Sequence, residues 1–164
     1  MPPSGSAPTL TDSTVTLRKV IDDMTAALQS QSDGVAIAAP QVGYPLRIFL
    51  ISGHTFQYLR NTTEPIPNKL YINPRIVNHS RRTEVMEEGC LSVRWLYGKV
   101  ERFTKATVKA YSEDGTPFQE GASGLLAQIF QHEIDHLDGV LFIDKATDVQ
   151  NMPPDESKTQ HHDL

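Results

Sequence analysis

His132-Glu133-Ile134-Asp135-His136 is the feature that most narrows the folds open to this chain. Histidines four residues apart point from one face only on an α-helix, where both imidazoles can reach a single metal ion. The flanking residues agree with a helix. From about Ser123 onward Leu125, Leu126, Ile129, Phe130 and Leu137 recur at helical spacing, and Gly139 stands where a helix would end. Glu133 is rotated about 100° from His132, which places it beside a metal rather than on it, within reach of a water proton. Two structurally satisfied histidines would give the same pattern, so the motif needs context.

A catalytic metal site takes three protein ligands and keeps an open position. The chain has one cysteine, Cys90, in the run Glu88-Gly89-Cys90-Leu91-Ser92 between extended segments. It is the natural third ligand. Glu88 is its main rival, and a buried inert cysteine is the alternative reading. A lone cysteine also rules out an intrachain disulfide, which suits a reducing compartment.

The chain has 164 residues, 38% of them hydrophobic and 21% charged, and a formal net charge of -5. That length fits one folded domain with its own core. No long basic stripe is present, so a phosphate backbone is not expected as a primary partner. The apolar runs are far shorter than the roughly 20 residues needed to span a bilayer. The first residues lack the basic and apolar regions of a secretory signal, so a cytoplasmic protein is expected.

The organisation reads as three parts. Residues 1–14 are rich in Pro, Ser, Gly and Thr and are expected to be a flexible lead-in; residues 15–148 form the catalytic domain; residues 149–164 are expected to be a polar flexible tail. Leu17, Val20, Ile21, Met24 and Leu28 predict a first helix that packs on a sheet. Leu46–Ile51 predicts a strand, 53–69 a surface loop, and Lys69–Asn73 and Arg75–His79 two short extended segments around Pro74. Residues 99–111 hold further strand candidates, followed by a turn at Glu113-Asp114-Gly115, and Val140–Ile143 suggests a last strand. The fold class is α+β, with the second helix buried among sheets.

Three segments, Gly34 to Gln41, Glu88 to Ser92 and Gln131 to Gly139, resemble the three signature motifs of the peptide deformylase family. EGCLS and QHEIDHLDG are near-complete matches in the right order, about forty residues apart, and the resemblance covers roughly residues 17 to 147. It implies a central H-E-x-x-H helix packed among antiparallel or mixed sheets. It also implies hydrolysis of the N-formyl group from the N-terminal formylmethionine of nascent chains, with release of formate. Cys90, His132 and His136 would bind one divalent metal, ferrous iron first, with zinc, nickel or cobalt as substitutes. Glu133 would be the acid–base. The side-chain amide of Gln41 and the backbone N–H of Leu91 would stabilise the formyl oxygen. Val35, Ala36, Met86, Glu88, Gly89, Leu125, Gln128 and Ile129 would line or border the substrate site, and Glu88 would also orient it. For the apolar members, plain core is the alternative.

The chain departs from the family pattern in places. Ala36 stands where a second glycine is usual, Arg94–Trp95 where Pro-Gly is usual after EGCLS, and Gln128 where an apolar residue is common. The usual N-terminal strand signal is missing. The tail is short and polar, so a ribosome contact through a long C-terminal helix is not expected. A monomer is expected, without direct nucleic-acid or membrane contacts. The competing readings are a different N-acyl amidase or peptidase, and a weak or inactive deformylase-like protein that only binds peptides.

Overall fold

A computed structural model describes residues 16–154, so the lead-in over 1–14 and most of the polar tail lie outside the described residues. The first helix, α1 (Leu17–Gln29), buries Val20, Ile21, Met24 and Leu28, the stripe its spacing predicts. After it come β1 (Ala36–Ala38) and β2 (Ile48–Ile51), both fully buried. Next are α2 (Gly53–Arg60), β3 (Lys69–His79) and β4 (Thr83–Gly89). Strands β5 (Leu96–Phe103), β6 (Lys105–Tyr111) and β7 (Pro117–Ser123) lead into α3 (Gly124–Leu137), and β8 (Thr147–Asn151) closes the described chain.

The strands form two antiparallel sheets, one of order β1-β2-β3-β6-β7 and one of order β4-β5-β8. The larger sheet has a core on each face. On one, Val20, Met24 and Leu28 of α1 pack with Ile37, Ile48, Leu50 and Ile72. On the other, Ile129, Phe130, Ile134 and Leu137 of α3 pack with Phe49, Tyr71, Val108 and Ala110. Helix α3 also reaches β5 of the smaller sheet, so ten of its fourteen residues are buried. The α+β class expected from the sequence is the one observed.

Several expectations need correction. The stretch 53–69 is not all loop, because Gly53–Arg60 forms α2. Ser52 caps it by accepting the His54 N–H, Phe56 is buried against the core, and Asn61 ends it in the left-handed region at φ 49°. The two extended segments around Pro74 are a single strand, β3, with a register shift between Ile72 and Arg75. That bulge is what admits a proline inside a paired strand. Val140–Ile143 is not a strand; Phe142–Asp144 makes a 3₁₀ turn in which the Asp144 carboxylate accepts the Leu141 N–H at 2.9 Å. The polar run from Gln150 begins inside β8, which pairs with β5 through Leu96–Asn151 and Tyr97–Gln150 although all five of its residues are exposed. Backbone pairing does not require an apolar side chain, so composition gave no sign of it.

Ala36 lies in β1 opposite Ile51, fully buried and without a positive φ. No glycine-only backbone angle exists there. Ala36→Gly is therefore expected to lower stability by about 1 kcal/mol and to change turnover by less than about tenfold. Urea unfolding read beside formate release checks both, and a rise above about a hundredfold would mean that the methyl crowds bound peptide.

Candidate metal centre

Helix α3 carries His132 and His136 on one face, and Cys90 follows the last residue of β4. The Cys90 Sγ lies 3.1 Å from His136 Nε2, and His136 Nε2 lies 3.1 Å from His132 Nε2. The three donor atoms all fall within 4.8 Å of one another, and all three residues are buried. Cys90 rather than Glu88 completes the cluster.

Glu88 is engaged elsewhere. Its carboxylate accepts two hydrogen bonds from Arg102, both at 2.7 Å, and one from His132 Nδ1 at 2.8 Å. Gln128 Nε2 adds a longer contact at 3.3 Å and donates to the Glu87 carbonyl at 2.9 Å. Burial alone would push the Glu88 carboxyl up, but the hydrogen bonds from Arg102 and His132 outweigh it and hold the group down at about 2. An ionised Glu88 fixes the His132 proton on Nδ1 and leaves the Nε2 lone pair aimed into the cluster. The His136 imidazole is held well below its ordinary range, first by burial and then by its His132 neighbour, and so is neutral. Two imidazole nitrogens and a sulfur thus converge, a donor set that suits a divalent transition metal.

Glu133 strengthens that fit. It is fully buried, and neither carboxyl oxygen has a hydrogen-bond partner among the described residues. Burial, then the nearby Glu88 charge, push its carboxyl up to about 8. An orphaned carboxyl beside three convergent donors is satisfied by a cation and its water, and a cation there would draw the proton off it. The residues fit a metal ion.

Nothing in the sequence points to Arg102 or to the role of Asp135. Arg102, on β5, is 3% exposed and donates to Asp135 at 2.7 Å as well as to Glu88, while Lys145 reaches Asp135 from outside at 3.1 Å. A chain of alternating charge therefore runs from the surface to the back of His132. Gln131 spans the same sheet–helix junction, accepting from Phe103 N–H and donating to the Phe103 carbonyl, both at 2.9 Å. An arginine within K-V-E-R-F reads as a solvated strand residue until its partner strand is known.

A model of the polypeptide deformylase family matches residues 6–152 of the 164. The chain belongs to this family. It is similar to peptide deformylase 2 of Clostridium acetobutylicum, with 42% identity over 132 residues that make up 80% of each chain. A peptide deformylase of Mesorhizobium japonicum is 42% identical over 128 residues, 78% of this chain and 69% of the relative. Among solved structures, a probable peptide deformylase from Synechococcus phage S-SSM7 superposes with a TM-score of 0.74 at 33% identity, covering 85% of this chain and 90% of that one. The Thermotoga maritima peptide deformylase gives 0.73 at 35% identity, covering 87% and 89%.

Other residues singled out in this deformylase sequence fall as follows. Gln41 lies beside the cluster: its Nε2 is 3.8 Å from Cys90 Sγ and donates to Ser92 Oγ at 2.8 Å, while its Oε1 accepts the Ala38 N–H at 2.7 Å. Leu91 opens the 3₁₀ turn Leu91–Val93 directly after Cys90. Val35, Ala36, Ile129 and the half-buried Leu125 share one apolar cluster. Met86 is on β4 opposite Val100, and Gly89, the last residue of β4, is opposite Tyr97. Gln128 faces the Glu87–Glu88 backbone and carboxylate, as a polar brace behind the metal cluster. No described helix is long and apolar enough to cross a membrane.

Cys90→Ser is expected to weaken retention of an added divalent metal by more than about tenfold, because a hydroxyl is a far poorer donor than a thiolate. Competition with a chelator measures this, and unchanged stoichiometry with unchanged affinity would remove Cys90 from the ligand set.

Proposed function

We propose that this chain hydrolyses the N-formyl group of N-terminal formylmethionine on nascent polypeptides, releasing formate and a free amine. The observation that carries the reading is the convergence of Cys90, His132 and His136 beside the orphaned carboxyl of Glu133, in a member of the deformylase family.

In this reading Cys90, His132 and His136 hold one divalent ion, with ferrous iron favoured and zinc, nickel or cobalt as substitutes. The ion supplies Lewis acidity at the formyl carbonyl and lowers the pKa of water. Glu133 accepts the proton of the attacking water and delivers it to the departing amine; a buried carboxyl with no competing hydrogen bond from the described residues is suited to both transfers. Gln41 turns its Nε2 from Ser92 to the formyl oxygen, and the Leu91 N–H is the second donor. Val35, Ala36, Met86, Leu125 and Ile129 are assigned to the methionine side chain and its border. Glu88, with Gln128 against it and Gly89 next in the chain, holds His132 in the tautomer that binds metal. Residues 15–148, extended by β8, are assigned as the catalytic unit.

The test is anaerobic turnover of formyl-Met-Ala-Ser by the ferrous-loaded protein, read as released formate, beside the acetyl-Met-Ala-Ser analogue. Formate release that stops on chelation and returns with added metal is expected, with the acetyl peptide poorly cleaved. No formate from folded, metal-saturated protein would overturn the reading.

A further inference from the structure

The 3₁₀ turn Leu91–Val93 connects the edge strand of the small sheet, β4, to β5, and its Leu91 packs against the apolar cluster that includes Ile37 of β1, the edge strand of the large sheet. A Cβ built on Gly34 would come within 3.4 Å of Leu91 Cδ1, so the turn passes close over the approach to β1. Two polar ties hold it there. On one side Gln41, after β1, donates to Ser92 at 2.8 Å. On the other, Arg94 grips residues just before β1: Nη2 donates to Asp33 Oδ1 at 3.1 Å and to Gln31 Oε1 at 2.8 Å, and Nη1 donates to Asp33 Oδ2 at 3.3 Å.

Most surface ion pairs contribute little. This one differs in geometry. The guanidinium takes both carboxylate oxygens, its side chain is 18% exposed, and it lies 4.6 Å from the Trp95 ring. It also joins segments 61 residues apart that lead directly into the edge strand of one sheet and the turn beside the other. The charge chain behind His132 does not do this, since it ties α3 to β4 and β5.

We propose that the Arg94–Asp33 pair sets the separation of the Leu91–Val93 turn from β1, so that Arg94 is a positioning residue for deformylation. The proposal rests on the deformylase reading above. The turn carries the Leu91 N–H and contacts Gln41 through Ser92, so a small drift moves both donors assigned to the formyl oxygen. Misplacement of about 1 Å at such a site is enough to cost up to a hundredfold in rate. Arg94 itself touches no reacting atom, and its effect falls on kcat more than on KM.

The test compares Arg94→Ala, Asp33→Asn, the double variant and Arg94→Lys with the parent, all as full-length, metal-loaded protein. With formyl-Met-Ala-Ser, Arg94→Ala and Asp33→Asn are each expected to lower kcat/KM about tenfold at unchanged metal stoichiometry. The double variant is expected to be no worse than either, as befits two halves of one contact. Arg94→Lys is expected to recover only part of the loss, because an ammonium cannot make the paired contact. Backbone amide exchange of the resting variants gives a readout independent of turnover, and Arg94→Ala is expected to speed exchange both at 91–93 and at 35–38. Values of kcat/KM within twofold of the parent, strictly additive losses, or exchange that quickens on one side only would each overturn the proposal. If the parent releases no formate, the deformylase reading fails, and the exchange data still decide whether the pair holds the turn to β1.

Discussion

Glu133→Ala is expected to leave metal stoichiometry nearly unchanged and to lower turnover by roughly two to four orders of magnitude, the usual range for a positioned acid–base. Glu133 makes no hydrogen bond to another described residue, so its removal disturbs no neighbour through a broken contact. It is also fully buried, with its carboxyl pushed up to about 8 by burial and then by Glu88. Deleting such a group relieves an unfavourable placement, so thermal stability of the metal-free variant should not fall. Metal analysis, unfolding and formate release on the same sample separate these effects. Turnover within about tenfold of the parent would remove Glu133 from the acid–base role. A large loss of metal would instead show that it helps to hold the ion.

The second large effect belongs to Arg102. Arg102→Leu would leave the Glu88 carboxylate buried against His132 with its two shortest hydrogen bonds, both from Arg102, removed. Breaking one half of a buried pair costs about 3–5 kcal/mol, readable as a shift in the urea midpoint. Metal affinity should fall as well, by about 10- to 100-fold, because the Glu88 carboxylate that orients His132 loses the arginine that fixes its own position. Adding Glu88→Gln to Arg102→Leu should restore part of the stability by removing the stranded charge. A stability loss below about 1 kcal/mol would show that solvent reaches the site and that the pair matters little.

The same contacts give the pH dependence. The Glu88 carboxyl in the folded protein sits at about 2, below the 4.5 of an unperturbed glutamate. Its contribution is therefore fully present above about pH 4.5 and is lost as pH falls toward 2. In the Arg102→Leu background that acid-side loss should shrink.

The metal cluster could be read from the chain because each part of it is local. H-E-x-x-H needs only a helix to bring two imidazoles together, and the periodicity of Leu125, Ile129 and Phe130 declared that helix. Cys90 could be read as the natural third ligand, although Glu88, two residues before it, was its main rival until the fold gave that carboxylate to Arg102 and His132. What escaped were properties of register. Whether Arg102 faces water or helix α3 depends on which residue of β4 it pairs with, here Glu84, and the chain does not carry that information locally. Helix α2 was missed for a different reason. Its eight residues mix polar and apolar side chains, and its existence depends on the Ser52 cap and on Phe56 finding the core. The β3 bulge hid behind Pro74, which read as a break rather than as a tolerated irregularity.

Strand β8 contributes no buried side chain, yet it occupies the hydrogen-bonding edge of β5 that β4 does not. An uncovered strand edge is an invitation to pair with another molecule. Thr147, Asp148, Gln150 and Asn151 are polar, so the edge they offer in turn is hydrated and short. A chain cut after Ala146 would bare the β5 edge, and self-association would follow rather than loss of the core. Many sequences can serve in such a strand, provided that they keep their backbone amides and stay soluble.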